Sequence, residues 1–288
     1  MSNIRFVILV VFSTFIMGSS IAVVKIGLAY VSPLLLASFR FLFAGIILSM
    51  IVLFLKRKHP KSIENWLKVL AIGAFQSTGV SIGIFVGLRT ISASEISILT
   101  YTSPLFVVIF GSLLFQSRYK FIQWIGVVIG IVGVAITLNA QLELRIGVIY
   151  GIFASISWAI ATLLIKKWGN DFDTWVLTAY QMLFGGILLL IGSFALEDII
   201  FQSNIHSIFV VFWLVIMASI VQNAVWFYLL KKEDAGKVSS FLFLAPFFGV
   251  VSGWIFLNET LYSSIIIGGI LIIIGIYLVN RKYEKVKV

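Results

Sequence analysis

Long apolar runs, separated by short polar segments, dominate this chain of 288 residues. A helix that spans a bilayer needs about 20 predominantly apolar residues. Runs of this kind lie at 6–30, 34–55, 66–88, 94–115, 122–139, 147–166, 174–195, 207–230, 238–257 and 262–280. The pattern predicts an all-α integral membrane protein with ten transmembrane helices, their ends set to within about three residues.

The composition supports the bilayer as the main solvent of this chain. Apolar residues make up 61% of it and charged residues 11%, and the mean hydropathy is +1.13. A soluble domain carries about 25% charged residues, so a soluble globular protein is excluded. The first apolar run exceeds the roughly 7 to 15 residues of a signal-peptide core, and we interpret it as a retained spanning helix.

The basic residues predict the orientation of the helices. Cytoplasmic loops of membrane proteins are enriched in Lys and Arg, which explains the net charge of +10 without a nucleic-acid partner. We therefore expect a multi-pass protein of the cytoplasmic membrane with both termini in the cytoplasm. The cytoplasmic segments would then hold Arg5, Lys56, Arg57, Lys58, Lys61, Lys68, Arg118, Lys120, Lys166, Lys167, Lys231, Lys232, Lys237, Arg281, Lys282, Lys285 and Lys287.

The two halves of the chain, 1–141 and 142–288, resemble each other. At an offset of 141, residues 39–46 align with 180–187, so that Arg40 lies over Gln181. At an offset of 142, Pro104 aligns with Pro246, and three glycines align with glycines. Five helices per half is an odd number, so the second half must insert with the opposite topology. The sequence thus predicts two inverted five-helix repeats within one membrane domain, a common build of secondary transporters.

Several motifs carry a resemblance to a known family. The first half contains 18–20 followed by Lys25, and then 32–41, 87–94 and 103–106; the second half contains 235–239, 245–248 and 257–261. These segments resemble the drug/metabolite transporter (DMT) superfamily, and within it the EamA-like metabolite exporters. Two positions depart from that family: Met17 replaces a usual Trp, and Ser117 replaces a Glu equivalent to Glu259. The resemblance implies a ten-helix carrier of small organic metabolites, such as amino acids or drug-like compounds, commonly in the export direction.

Polar and aromatic residues inside the apolar runs are the candidates for substrate binding, because lipid offers polar groups no partner. Neutral amides and hydroxyls suit a polar or zwitterionic metabolite, and aromatic rings could form a wall for it. The alternative is hydrogen bonding between helices for the polar groups and lipid contact for the rings. The cavity candidates are Ser19, Ser20, Gln76, Thr78, Ser81, Tyr101, Ser103, Trp158, Gln222, Asn223, Trp226 and Phe243.

Two prolines and two basic residues complete the candidate set. Pro104 and Pro246 lie near the middle of the fourth and ninth predicted helices, where a kink would act as a gate or hinge. Proline is also simply more frequent in spanning helices. Lys25 and Arg40 are intramembrane charges that could extend to the outer interface. Because Arg40 recurs in the family, we interpret it as structural, whereas Lys25 could attract an anionic group to an outer vestibule.

Three classes of function fit a polytopic membrane chain. A transporter working by alternating access is the leading hypothesis, with a small-molecule substrate and a monomer or homodimer as the assembly. A channel would need a ring of like polar or charged residues, and none is evident. An intramembrane enzyme would need a carboxylate–metal cluster, for which 170–173 is the one candidate segment. We expect no enzymatic activity, catalytic residue, cofactor or metal.

Overall fold

The computed structural model describes residues 3–115, 119–137, 145–232, 238 and 240–280. Ser117, one of the two departures from the family, lies outside the described residues, and so do residues 235–237 and 239, which carry part of the resemblance. So do several of the basic residues that predict the orientation: Arg118, Lys237, Arg281, Lys282, Lys285 and Lys287.

The described chain folds into a bundle of helices. The helices are α1 (Asn3–Gly27), α2 (Pro33–Phe54), α3 (Ile63–Val86), α4 (Ala93–Thr100 and Ser103–Phe115), α5 (Phe121–Thr137), α6 (Ile146–Trp168), α7 (Thr174–Leu196), α8 (Ile205–Val215, Ile216–Val221 and Gln222–Lys232), α9 (Leu244–Leu257) and α10 (Ser263–Asn280). Seven of them (α1 to α4 and α6 to α8) are long and apolar enough to cross a membrane, and the other three are shorter apolar helices. The predicted all-helical membrane class is confirmed at this level.

The outward surface of the bundle is apolar. Large side chains such as Phe54, Phe209 and Ile266 are exposed along the helices. Soluble monomers rarely expose contiguous apolar surface of this kind. Helices satisfy their own backbone hydrogen bonds, which makes them stable where lipid provides no partner. The exposed faces of the bundle are therefore suited to contact lipid acyl chains.

Helices from the two halves of the chain pack against each other. The closest pairs are α2 with α7, α5 with α10 and α1 with α9. In the α2–α7 pair, an added Cβ at Gly45 would collide with the backbone of Leu183, and one at Gly186 with the backbone of Leu42. These reciprocal contacts mean that α2 and α7 are antiparallel, with their backbones in close approach.

One end of the bundle, which we call the Glu259 end, is held by carboxylates that cap helices of the opposite half. Glu197 accepts hydrogen bonds from the backbone N–H of Leu34 (3.1 Å) and Leu35 (2.9 Å) at the start of α2. Glu259 accepts from the N–H of Ala93 (2.6 Å) and Ser94 (3.0 Å) at the start of α4. Carboxylates are favourable there because helix N-termini carry free N–H groups and a partial positive charge.

The opposite end, which we call the Lys166 end, is rich in basic residues. Arg57 lies 3.4 Å from Asp173, which in turn caps the first turn of α7. Lys68 pairs with Glu64 (2.9 Å) and with Asp171 (3.5 Å). These contacts tie the α2–α3 connection to the α6–α7 connection.

The two prolines begin helical segments and do not interrupt continuous helices. Pro104 is the second residue of the second segment of α4, and Pro246 is the third residue of α9, which follows a 3₁₀ turn at Ser240–Phe243. In a first turn the missing proline N–H leaves no hydrogen bond unmade. The expected mid-helix position is therefore corrected for Pro246, which lies in the first turn of α9. In α4 the helix does break near its middle, at residues 101–102 just before Pro104, and the Thr102 hydroxyl donates to the Leu99 carbonyl there (2.6 Å). The gating or hinge role of the two prolines stays a prediction.

Two wider helical turns occupy equivalent positions in the two halves. π-helical turns lie at Ala74–Gly79 in α3 and at Ile216–Val221 in α8, related by the offset of 142. A π-turn inserts one residue into an α-helix and alters its hydrogen-bonding pattern, and such turns are frequent at functional sites. Both of these turns lie next to the cavity described below.

Candidate functional site

A cavity of about 400 Å³ lies in the middle of the bundle, between α1, α2, α3, α4, α6, α7 and α8. Cavities of roughly 300 to 1,000 Å³ are typical of small-molecule sites. Helices from both halves of the chain contribute to its wall, so the site exists only when the two halves are packed together.

The structure brings most of the predicted cavity residues together. They come from five helices that are distant in sequence, and their polar atoms and rings share one space. The candidates that line the cavity are Ser20, Gln76, Ser81, Tyr101, Trp158, Gln222, Asn223 and Trp226.

Other predicted residues lie elsewhere. The Ser19 hydroxyl donates to the Phe15 carbonyl (2.7 Å), and the Thr78 hydroxyl to the Gly185 carbonyl (3.1 Å). Both therefore serve helix geometry or helix packing, the alternative considered from the sequence. Ser103 is buried next to the break in α4 and does not line the cavity. The side chain of Phe243 lies outside the described part of the chain.

Helix α7 contributes lining residues that the sequence reasoning missed. Thr174, Thr178, Gln181 and Met182 all face the cavity. The polar residues among them are spaced singly along an apolar helix, so they form no cluster that hydropathy would reveal. One signal was available: Gln181 aligns with Arg40 at the offset of 141.

Arg40 turns into the bundle from α2 and contacts the π-turn of α8. Its Nε donates to the Ser219 hydroxyl (3.2 Å), and its Nη2 donates to the Ala218 carbonyl (3.2 Å). The guanidinium also lies 4.9 Å from the ring centroid of Phe41, a cation–π distance. The expected extension of Arg40 to the outer interface is therefore corrected, since α8 supplies acceptors inside the bundle.

The equivalent contact in the other half uses neutral residues. The Ser77 hydroxyl, on the π-turn of α3, donates to Gln181 Oε1 on α7 at 2.8 Å. Ser77 corresponds to Ser219, and Gln181 corresponds to Arg40. The two halves thus connect equivalent positions on a helix and a π-turn, once through an amide that accepts from the serine and once through a guanidinium that donates to it.

The cavity carries a positive charge. Arg40 is the sole charged side chain among the residues that line it. The rest of the polar lining consists of amides and hydroxyls, the phenol of Tyr101 and the indoles of Trp158 and Trp226. Within the described residues no carboxylate pairs with Arg40. Because the surrounding wall is largely apolar, an anionic group in this cavity would experience a stronger attraction than in water.

Aromatic rings contribute to the wall of the cavity. The rings of Tyr101 and Trp158 lie 5.5 Å apart at an interplanar angle of 55°. Trp226 and Phe227 on α8 line the cavity as well. Rings of this kind bury a large apolar area and leave polar tips for hydrogen bonding.

The cavity opens towards the Lys166 end. Its lining residues Thr162, Ile165 and Thr174, near that end, are exposed, whereas Val24 and Phe85, towards the Glu259 end, are buried.

The Glu259 end is closed by polar contacts. Lys25 Nζ donates to the Ile91 carbonyl (2.7 Å) and lies 3.7 Å from Glu259 Oε1, and Arg145 pairs with Glu95. Lys25 is therefore committed to closing contacts and is not a free cation in an outer vestibule, which corrects that expectation. Within the described residues no group of three or more His, Asp or Glu side chains could hold a metal ion.

A helical membrane bundle around a largely apolar cavity with a few polar groups, accessible from one end, is an architecture that membrane transporters use. The sequence profile described as the EamA-like transporter family matches the chain twice, at residues 4–139 and 145–281. The chain belongs to the EamA-like transporter family. The resemblance recognised from its motifs is confirmed.

Similar proteins are described as transporters. The uncharacterized transporter YvbV of Bacillus subtilis is 29% identical, over 98% of this chain and 94% of its own length. A probable amino-acid metabolite efflux pump of Salmonella typhimurium is 26% identical, over 91% of this chain and 90% of its own length. One chain of known crystal structure shares the fold with a TM-score of 0.66 at 18% identity, covering 94% of both chains.

Proposed function

We propose that this protein is a secondary transporter that exports a small organic metabolite, such as an amino acid or a drug-like compound, across the cytoplasmic membrane by alternating access. The observation that carries the proposal is the central cavity, lined by both halves of the chain, open at the Lys166 end and closed at the Glu259 end. The relative described as an amino-acid metabolite efflux pump supports both the substrate class and the direction.

Ten spans in two inverted repeats, 1–141 and 142–288, form the proposed membrane domain. The three shorter apolar helices would add to the seven long ones to give this number. The family profile matches each half separately. The reciprocal contacts of Gly45 and Gly186 and the equivalent π-turns also support the repeat, because an inverted pair must place equivalent helices antiparallel.

The Lys166 end is the proposed cytoplasmic face. Its connections carry Lys56, Arg57, Lys58, Lys166 and Lys167, the pattern expected of cytoplasmic loops. The cavity would then open towards the cytoplasm, where a substrate for export is loaded. One chain encloses the cavity, so a monomer suffices as the transport unit whether or not two chains associate in the membrane.

Transport would require the two ends to exchange their states. The contacts of Lys25 with Ile91 and Glu259 would break to open the Glu259 end, while the connections at the Lys166 end would close over the cavity. Rocking of one repeat against the other around a fixed site is the usual form of this change in transporters built from inverted repeats.

Reconstituted liposomes provide the test. We expect saturable uptake of at least one radiolabelled amino acid or related metabolite, accelerated by unlabelled substrate on the opposite side, with and without a proton gradient. Counterflow distinguishes a carrier from a channel, since a channel does not couple opposite fluxes. Flux that stays linear with concentration and shows no counterflow would contradict alternating access, and failure of every small solute to move would contradict transport itself.

A further inference from the structure

We propose that Arg40 binds the substrate directly and that the substrate is a small molecule with one carboxylate attached to an apolar body. This inference rests on the proposed transport function and adds the chemical class of the substrate. It also revises the sequence-based interpretation of Arg40 as a structural residue.

The second half of the chain provides an internal comparison for Arg40. Gln181 occupies the equivalent position on α7 and connects that helix to the π-turn of α3 through Ser77. Arg40 makes the equivalent connection to Ser219 on the π-turn of α8. A neutral amide is therefore sufficient to connect the helices, and the positive charge of Arg40 exceeds what that connection requires.

The guanidinium has unused hydrogen-bonding capacity. It carries five N–H donors, and the described residues accept two of these, at Ser219 and Ala218. Neither acceptor is charged. Arg40 faces a cavity without a carboxylate in its lining, so both its charge and its remaining donors are available to a ligand.

A carboxylate matches these free donors. Guanidinium and carboxylate groups form paired, charge-assisted hydrogen bonds that are stronger than neutral ones. One Arg balances one negative charge, whereas a phosphate monoester carries about 1.5 to 2 charges at neutral pH and would leave part of its charge unbalanced in an apolar wall. The single cation of the cavity thus favours a monocarboxylate over a phosphate.

The rest of the lining fits an apolar body next to the carboxylate. Tyr101 and Trp158 contribute aromatic surface to the cavity, and their rings lie 5.5 Å apart. The amides of Gln76 and Gln222 add neutral acceptors that could contact an ammonium group. Amino acids with apolar side chains and their deaminated acids both satisfy this arrangement.

Matched probes can isolate the carboxylate. Phenylalanine, 3-phenylpropionate, phenylalaninamide and phenethylamine differ in the carboxylate and ammonium groups around one ring. Dissociation constants for these probes would be measured by calorimetry on the purified, detergent-solubilised full chain, and transport by counterflow in liposomes. The variants are Arg40→Gln, which mimics Gln181, and Arg40→Lys, which keeps the positive charge but lacks the planar guanidinium with its paired N–H donors. Arg57→Gln removes an exposed arginine outside the cavity and is the matched control.

We expect the wild-type protein to bind the two acids more tightly than the amide and the amine. Arg40→Gln should weaken binding of the acids by about 10- to 100-fold, the range for loss of a charge-assisted hydrogen bond. Binding of phenethylamine should change little. Arg40→Lys should retain part of the preference for acids, and Arg57→Gln should retain all of it. Melting temperatures of the variants would show that each is folded.

This inference would be overturned if the wild-type protein bound acid and amide with equal affinity, or if a folded Arg40→Gln variant bound the acids as tightly as the wild type. The transport proposal would then still stand if any probe showed counterflow. If Arg40→Gln does not fold, the wild-type comparison and Arg40→Lys decide the matter. Absence of saturable movement for every probe and every other small metabolite would overturn the transport proposal and this inference together.

Discussion

At the scale of single residues, the cavity separates polar groups that connect helices from polar groups that are left free. Thr78 and Ser77 are bonded to α7, and Asn223 donates to the Ser219 carbonyl at 2.6 Å. Gln222 lines the cavity, and its side-chain amide makes no hydrogen bond within the described residues. The amide atoms are not among the fully buried ones, so Gln222 is suited to form a hydrogen bond with a bound substrate.

Replacing Gln222 with Leu should therefore reduce transport without reducing stability. The amide contributes a hydrogen bond to the substrate, so the KM for transport should rise by about 2- to 10-fold, the range for one neutral hydrogen bond. The melting temperature should stay the same or rise, because the side-chain amide bonds no other described residue and leucine adds apolar contact. KM comes from liposome uptake and the melting temperature from a thermal unfolding scan.

Thr78→Val is the matched control for that experiment. It removes a hydroxyl that bonds Gly185 outside the cavity, so it should lower the melting temperature and leave KM unchanged. An unchanged KM for Gln222→Leu would remove Gln222 from the binding site.

The same distinction explains why the site could be predicted only in part. The polar residues Gln76, Ser81, Gln222 and Asn223 interrupt apolar runs, which made them visible in the sequence. Whether a polar side chain bonds its neighbour or faces a cavity depends on the packing of distant helices. Ser19 and Thr78 could not be separated from this group without that packing.

At the scale of helices, hydropathy predicted the elements well and their local geometry poorly. The predicted run 238–257 became a 3₁₀ turn, Ser240–Phe243, followed by α9, Leu244–Leu257. The predicted run 66–88 became α3 with two π-turns inside it, Ala74–Gly79 and Ile82–Val86. A run of apolar residues indicates that a segment is buried in lipid or protein. A 3₁₀ turn or a π-turn depends instead on which carbonyl each backbone N–H bonds, three or five residues earlier in place of four. Arg40 and Ser219 stabilise such a change of bonding in α8, and no sequence pattern indicated it.

Close helix contact at glycine is testable on a single helix. In Gly186→Ala, the new Cβ would collide with the backbone of Leu42, so α2 and α7 must separate and the melting temperature should fall by several degrees. In Gly192→Ala on the same helix, the nearest atom lies 3.7 Å away, so the melting temperature should stay the same or rise, because alanine favours a helix by about 1 kcal/mol over glycine. Equal melting temperatures for both variants would contradict the packing of α2 on α7.

At the scale of the whole molecule, the two halves make equivalent contacts in opposite senses. α2 packs on α7 and α5 packs on α10, while α3 packs on α6 and α1 packs on α8. The internal sequence match predicted the division of the chain but not these pairings. An alignment of two halves shows which residues correspond and contains no information on how the halves face each other.

The orientation of the molecule can be tested by cysteine labelling. The chain contains no cysteine, so a single introduced cysteine is the one site on this protein that reacts with a maleimide. Lys61 lies in the α2–α3 connection and Ser203 in the α7–α8 connection, and both are exposed. A membrane-impermeant maleimide should label Ser203→Cys in intact cells and Lys61→Cys only after permeabilisation, as the positive-inside rule requires. The reverse labelling pattern would place the Lys166 end outside and turn the cavity towards the exterior.

The pairing of Arg40 with Gln181 has a consequence for the origin of such a protein. If the two repeats descend from separate half-length chains, those chains would have met as an antiparallel homodimer, in which every residue occurs twice, once on each side of the two-fold axis. An arginine at this position would then have brought two positive charges into a cavity of about 400 Å³, and a glutamine would have brought none. Only after gene fusion could one copy mutate alone. Fusion would then have permitted a single charge between the two repeats and, with the proposed role of Arg40, a ligand bound in one orientation.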